Sequence, residues 1–284
     1  MMKTILLFYA LTLAYLAALA PAQGLYSGFD RNDYPGDATM ISLRKTFQYT
    51  SYWLNKPPGA NRNSWAGKRS FIQQQGFGFL VLFNGRLSTE LVGKDATSLG
   101  RSDGNAAVDA ALQEGFQGNI RIFLDQEEGG RLLREQGEYI LSWIYAVNQR
   151  GARAGVYCSG IDVPDGSSRI NTAEDIEKLV SAGAKPSQQA STNELRFWVA
   201  NDQCPPAPGC TRTNLPPSLG ARLHEPERIE VWQYALSPRR TQFSSSCPRN
   251  AAGDGNCYAP GLPQNSTTFI DLDVSNSPDP SETP

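Results

Sequence analysis

The sequence predicts an α/β fold, a (β/α)8 TIM-type barrel with an irregular last third. Two observations point there. Short apolar or aromatic runs alternate with helix-like segments, a pattern that pairs strands in parallel through crossover helices. Eight such runs fit into roughly 250 residues, the size of one such barrel.

The ends are set apart from this pattern. Lys3, the apolar run Ile5 to Ala20 and the site Ala20-Pro21-Ala22 form the basic start, apolar core and A-x-A site of a secretory signal peptide over residues 1–22. The run falls short of the roughly 20 apolar residues that a membrane span needs. Cleavage predicts a secreted or periplasmic chain with no membrane segment. Residues 23–274 read as one barrel domain, and the Ser/Pro/Asp-rich residues 275–284 as a disordered tail.

Strands are expected at Leu25–Asp30, Gln48–Leu54, Gly78–Phe83, Ile120–Asp125, Ala154–Cys158, Leu195–Ala200, Ile229–Tyr234 and Thr268–Val274. Each is short, rich in β-branched or aromatic types, and bounded by Gly, Pro, Asn or Asp. Helices are clearest mid-chain. Ala106–Gln113 is rich in Ala and Leu. Leu132–Arg150 places Leu133, Tyr139, Ile140, Trp143, Ile144 and Val147 at three- and four-residue steps before Gly151. Thr172–Ala182 opens on Thr172 with Asp175 three residues on, a near capping box. After the sixth strand, Cys204-Pro-Pro-Ala-Pro and Leu215-Pro-Pro do not read as a full helix.

Without Lys3, 25 basic residues face 28 acidic ones, and no basic patch forms. Nucleic acid and acidic membrane surfaces are therefore poor partners, and a neutral glycan fits better. Cys204 and Cys210 flank a proline-rich loop, and Cys247 and Cys257 a Gly/Asn-rich one. In an oxidising compartment local staples 204–210 and 247–257 are expected, one of three possible pairings. Cys158 reads as a buried free thiol in a strand. No C-x-x-C occurs and His224 is the one histidine, so no metal is expected and Ser-His-Asp or Cys-His catalysis is disfavoured. Asn265-Ser-Thr is a glycosylation sequon.

Chemistry concentrates at strand ends. In such barrels the C-terminal ends of the strands gather around one pocket. Asp30 ends the first strand, Asp125 the fourth, Trp232-Gln233-Tyr234 the seventh, and Asp271-Leu272-Asp273 the eighth. Asp125 and Glu127, two residues apart, face one way in an extended segment, while Glu128 faces away and reads as the start of a helix. Clustered carboxylates raise one another's pKa. A protonated one then serves as general acid toward a glycosidic oxygen, and an ionised neighbour stabilises the oxocarbenium charge. Singly, each acid is equally readable as a turn or cap residue; agreement at four strand ends favours a site. Tyr52, Trp53, Trp198 and Trp232 lie near strand ends, where aromatic rings pack on sugar faces or fill the core. Tyr157 and Tyr234 are candidate hydrogen-bond donors.

Together these pieces resemble family 25 glycoside hydrolases in Gly28-Phe29-Asp30, Asp125-Gln126-Glu127, Gly155-Val156-Tyr157, Phe197-Trp198-Val199-Ala200, Trp232-Gln233-Tyr234 and Asp271-Leu272-Asp273. The chain is more similar to the glycoside hydrolase-like family of domain of unknown function 1906. The motifs it shares there are Gly28-Phe-Asp-Arg-Asn-Asp-Tyr-Pro, Tyr52-Trp53-Leu54-Asn55, Phe123-Leu-Asp-Gln-Glu-Glu-Gly-Gly and Gly155-Val-Tyr-Cys-Ser-Gly160. The resemblance implies Glu127 as general acid/base, Asp125 as its charged partner, and Asp30 and Asp271 as supporting carboxylates; Asp273, at the same strand end, is a further supporting candidate. The candidate substrate contacts at the strand ends are Tyr52, Tyr157, Trp198, Trp232, Gln233 and Tyr234. The resemblance also implies a cofactor-free, lysozyme-like activity on peptidoglycan or another amino-sugar polymer. Asp273 departs from family 25, which tends to have Asn there, and the Pro/Cys-rich loops differ too. The expected protein is a monomeric glycosidase; the alternative is a catalytically silent barrel that binds glycan.

Overall fold

The computed structural model describes residues 25–183, 194–203, 223, 225–237, 260–263 and 266–282. The predicted signal peptide, Cys204, Cys210, His224, Cys247, Cys257 and Asn265 lie outside the described residues, and so do the pairings expected of the four cysteines.

All eight expected strands form and close one barrel. They are β1 (Tyr26–Asp30), β2 (Tyr49–Trp53), β3 (Gly78–Asn84), β4 (Arg121–Asp125), β5 (Arg153–Ser159), β8 (Arg196–Ala200), β9 (Ile229–Ser237) and β10 (Ile270–Ser275). A small antiparallel hairpin, β6 (Val163–Asp165) with β7 (Ser168–Ile170), follows β5. The barrel order is β1-β10-β9-β8-β5-β4-β3-β2. Outside it run α1 (Asp37–Leu43), α2 (Arg69–Gln74), α3 (Ser88–Leu91), α4 (Ala96–Gln113), α5 (Arg134–Gln149) and α6 (Thr172–Gly183). The first of the mid-chain helices is longer than its Ala/Leu run suggested, because Asp95 caps it by accepting from the Ser98 amide at 2.9 Å. The cap of α6 is Asn171, which accepts from the Glu174 amide at 2.9 Å; the Thr172 hydroxyl instead binds the backbone of Gly130.

One strand overturns the expectation of parallel pairing throughout. Neighbours from β1 to β9 run parallel, but β10 is antiparallel to both β1 and β9. The chain leaves β9 and re-enters as β10 at the same end of the barrel, without a crossover. Asp271 therefore lies at the start of its strand near the mouth, directly opposite Asp30.

Alternation along the strands fills the lumen. Two glycines make room for two rings. A Cβ on Gly28 would stand 2.0 Å from the Tyr49 ring, and one on Gly155 would stand 2.5 Å from the Phe123 ring. Trp198 packs edge-on against Phe123 and Tyr157, at 6.2 and 4.6 Å between centroids. The opposite faces of the strands meet the helices, as where Phe29 packs on Phe47 and Phe77.

The predicted disordered tail is also corrected. Strand β3 begins before its neighbour: its first pair with β4 is Val81 with Ile122. Residues 279–281 fill the gap. Asp279 Oδ1 accepts from the Phe79 amide at 3.0 Å and Ser281 Oγ from the Val81 amide at 2.8 Å. The Ser281 carbonyl accepts from the Arg121 amide at 2.8 Å, and the Ser281 amide donates to the Phe79 carbonyl at 3.0 Å. The segment's polar composition supplies hydrogen bonds to the barrel base, and Ser277 and Ser281 are buried. Ending the chain at Asn276 strips partners from three buried amides, each worth about 1–3 kcal/mol when orphaned. The Tm of that truncation should fall by roughly 10 °C in a thermal melt, with Ser281→Ala losing only a fraction of this.

Candidate active site

Strands β1, β4, β5, β9 and β10 bring the carboxylates together at the mouth. Asp30 and Asp125 are 6% and 3% exposed, and Asp273, one layer deeper, is 0% exposed. Gln233 Nε2 donates to Asp30 Oδ2 at 2.8 Å, and the Tyr157 hydroxyl donates to Gln233 Oε1 at 3.0 Å. Tyr157, Gln233 and Asp30 thus form one chain of hydrogen bonds across the lumen. Trp198 Nε1 donates to Asp273 Oδ1 at 3.0 Å.

Asp125 differs from all of these. Both its oxygens are buried and neither has a hydrogen-bond partner. Burial, then the charges of Glu127 and Asp30, hold its carboxyl well above the ordinary carboxylate range. Burial pushes Asp30 up to about 6, against the lowering effect of its bonds to Gln233 and Asp273. Asp273 is raised well above 3.8 by burial, then by Asp30 and Asp271. Glu127, solvent-accessible at the rim, is raised more modestly, by partial withdrawal from water among its neighbours. Burial, reinforced by the surrounding acids, holds the Tyr157 hydroxyl protonated.

Four of the aromatic substrate contacts expected from sequence do not stand at this site as open surfaces. Tyr52 faces the helix layer, buried among Trp65, Phe79 and Phe116, and its hydroxyl donates to Glu114 Oε2 at 2.5 Å. Trp198 is 1% exposed and occupied with Asp273. Trp232 is buried, its Nε1 donating to the Asn201 carbonyl at 3.1 Å, and Tyr234 is buried against it. Parity explains Tyr52 and Trp232, because neighbouring residues of a strand point to opposite sides; Trp198 does face the lumen but is taken up by Asp273 and the rings of Phe123 and Tyr157. Glu128 is more than the start of a helix. It accepts from the Ser88 amide and hydroxyl and from Gln136 Nε2, each at 2.7 Å, and so ties α3 and α5 to the loop that carries Glu127.

Sequence reasoning missed a cleft beside Glu127. It encloses about 500 Å³ between residues 55–59 and 83–87, with Lys56, Arg86, Glu90 and Asp103 among its lining. Its walls are latched: Asn84 N donates to Asn55 Oδ1 at 2.7 Å, and Asn55 Nδ2 to the Asn84 carbonyl at 3.0 Å. Asp103 holds Arg86 through two bonds and accepts a third from the Tyr139 hydroxyl. The strand-end rule, extended to the second and third strands, would have found Asn55 and Asn84. Among the described residues, no group of three or more His, Cys, Asp or Glu is arranged to hold a metal ion, and no helix is long and apolar enough to cross a membrane.

The family model of the Rv2525c-like, glycoside hydrolase-like domain matches residues 49–210, which include Asp125, Glu127, Tyr157 and Trp198. The chain belongs to this glycoside hydrolase-like family. A comparison with curated proteins finds no match. Among solved structures, an uncharacterized B. stearothermophilus protein is similar at 16% identity and a TM-score of 0.55, over 88% of this chain and 95% of that one. The Mycobacterium tuberculosis Tat-secreted protein Rv2525c, in complex with L-tartrate, aligns at 12% identity and a TM-score of 0.49, over 88% and 95%. A family 25 glycosyl hydrolase from Bacillus anthracis aligns at 11% and 0.44, over 88% of each chain. At these identities the likeness is one of fold, and the first of the three carries it.

The raised carboxyls make stability fall with pH. Between 3.8 and about 6 the folded chain holds a proton on Asp30 that the unfolded chain has released. This stabilisation is complete at low pH and is lost as pH climbs through the folded value. Asp125 and Asp273 extend the loss to higher pH. Thermal melts should show Tm declining from about pH 5 to about pH 8. Asp125→Asn should flatten that decline and raise Tm at about pH 8 by a few degrees.

Proposed function

We propose that the chain is an exported glycoside hydrolase that cleaves a β-glycosidic bond in peptidoglycan or another amino-sugar polymer. One observation carries the reading: a buried carboxyl with two unpartnered oxygens, Asp125, lies beside the rim carboxyl Glu127 at the open end of a glycoside hydrolase-like barrel. Export rests on the basic, apolar and A-x-A pattern of residues 1–22.

Glu127 is the general acid/base. It reaches solvent and substrate, and its raised pKa keeps a larger share of the proton that must pass to the glycosidic oxygen. Asp125 enters as a neutral acid rather than the ionised partner that the family resemblance implies, because burial and two acidic neighbours oppose its charge. A neutral carboxyl both donates and accepts. Its free oxygens suit the acetamido group of an amino sugar, and its proton can move toward Glu127 as positive charge develops at the anomeric carbon. Above about pH 6, Asp30 is an ionised carboxylate held by Gln233 and adds negative potential to the mouth. The adjacent cleft is of the size of small-ligand pockets, and its latched walls are preformed. The alternative of a silent glycan-binding barrel draws on aromatics near the mouth and on the departures from family 25, and the burial of Tyr52, Trp198 and Trp232 weakens the first of these grounds.

Reducing-end and mass-spectrometric product analysis on peptidoglycan and chitin-type oligomers tests the reading. Wild type should release new reducing ends. Glu127→Gln, folded to the same Tm within a few degrees, should lose about 10²- to 10⁴-fold in kcat. Equal hydrolysis by both proteins removes Glu127 from the mechanism, and no release by wild type on any of the polymers refutes the hydrolase.

A further inference from the structure

Asp273 is a fully buried acid, and among the described residues the charged groups that act on it most are themselves acids. Its Oδ1 accepts from Trp198 Nε1 at 3.0 Å, whereas its Oδ2 is buried with no N–H or hydroxyl donor. The charged groups that act on it are Asp30 across the β1–β10 pair and Asp271 on its own strand, both acids. Two uncharged polar residues share its layer. Gln233 on β9 is its register partner, and the Tyr49 hydroxyl on β2, also buried without a partner, feels Asp273, Asp30, Tyr234 and Glu230. Asp30 and Asp273 are themselves within hydrogen-bonding contact. Two carboxylates cannot hydrogen-bond without a proton between them. Asp30 already has an N–H donor in Gln233 Nε2 and lies nearer the mouth, so it is the better site for the charge. Asp273, through the undonated Oδ2, is the better site for the proton.

We propose that Asp273 is a standing neutral acid and a positioning residue: its Oδ2–H donates to Asp30, which holds the Asp30–Gln233–Tyr157 chain in register at the barrel mouth. The side chain acts through Asp30 and touches no substrate. An amide in its place would perform the same task, with Oδ1 accepting from Trp198 and Nδ2–H donating to Asp30.

Carbon-detected NMR titration of the side-chain carboxyls in the full chain reads the proton directly and requires no turnover, so it stands whether or not the hydrolase reading holds. In wild type, the Asp273 carboxyl carbon should keep the shift of a neutral acid from about pH 5 to about pH 8, while Asp30 titrates near 6. In Asp273→Asn the Asp30 midpoint should move by less than about half a pH unit, because one donor replaces another. In Asp273→Leu, which donates nothing, it should rise by about one unit. An ionised Asp273 at neutral pH overturns the proposal. So does a fall of about one unit or more in the Asp30 midpoint of Asp273→Asn, which would mark relief from a neighbouring negative charge. If either variant fails to fold, the wild-type titration decides alone.

Discussion

Closure of the barrel by an antiparallel strand is the constraint on which the rest of the molecule depends. Strand β10 is paired on both sides, with β1 and β9, and no edge of the barrel is left open. Because it enters from the mouth, it carries Asp271 in opposite Asp30 and Asp273 in opposite Gly28. A parallel strand in that place would deliver its last residues, not its first, to the mouth. The crowding of acids there follows from strand direction as much as from composition.

That crowding is sustained by what surrounds it. The lumen is filled by the rings of Tyr49, Phe123, Tyr157 and Trp198, closely packed because Gly28 and Gly155 yield their side-chain space. Such a medium screens poorly, so burial and like charge act together on the carboxyls. The buried basic side chains lie at the other end. Strand β4 begins at Arg121 and ends at Asp125. Arg121 is buried near the base, donates to the Ala154 and Glu194 carbonyls, and is itself lowered to about 10 by burial and by Arg153. Acids at the mouth and arginines at the base give the barrel a polar axis. The buried acids at the top keep protons because burial and like charge dominate there.

Supports outside the barrel aim the same site. Glu128 gathers Ser88 and Gln136 under the loop that carries Glu127. The Asn55–Asn84 latch fixes one side of the cleft, and the Arg86–Asp103–Tyr139 group fixes its lower wall. Each uses charge-assisted or reciprocal hydrogen bonds, which restrict geometry as well as adding stability.

The eight strands, the three mid-chain helices and the acids Asp30, Asp125 and Glu127 were legible in the sequence, since alternation and strand-end chemistry are local properties. Local patterns also misled. Tyr52 and Trp232 read as mouth aromatics because composition does not reveal which face of a strand turns inward, and Trp198, which does turn inward, is buried in the packed lumen. The Ser/Pro/Asp-rich end read as solvated, yet its polar atoms satisfy β3 and β4 at the base. By itself the sequence determined which segments form strands and where carboxyl groups are concentrated along the chain. Only the tertiary structure decided the direction of β10, the face each aromatic presents, and which carboxyl is left without a donor. Those depend on partners tens to hundreds of residues away, because pairing and burial belong to the closed barrel and not to any one segment.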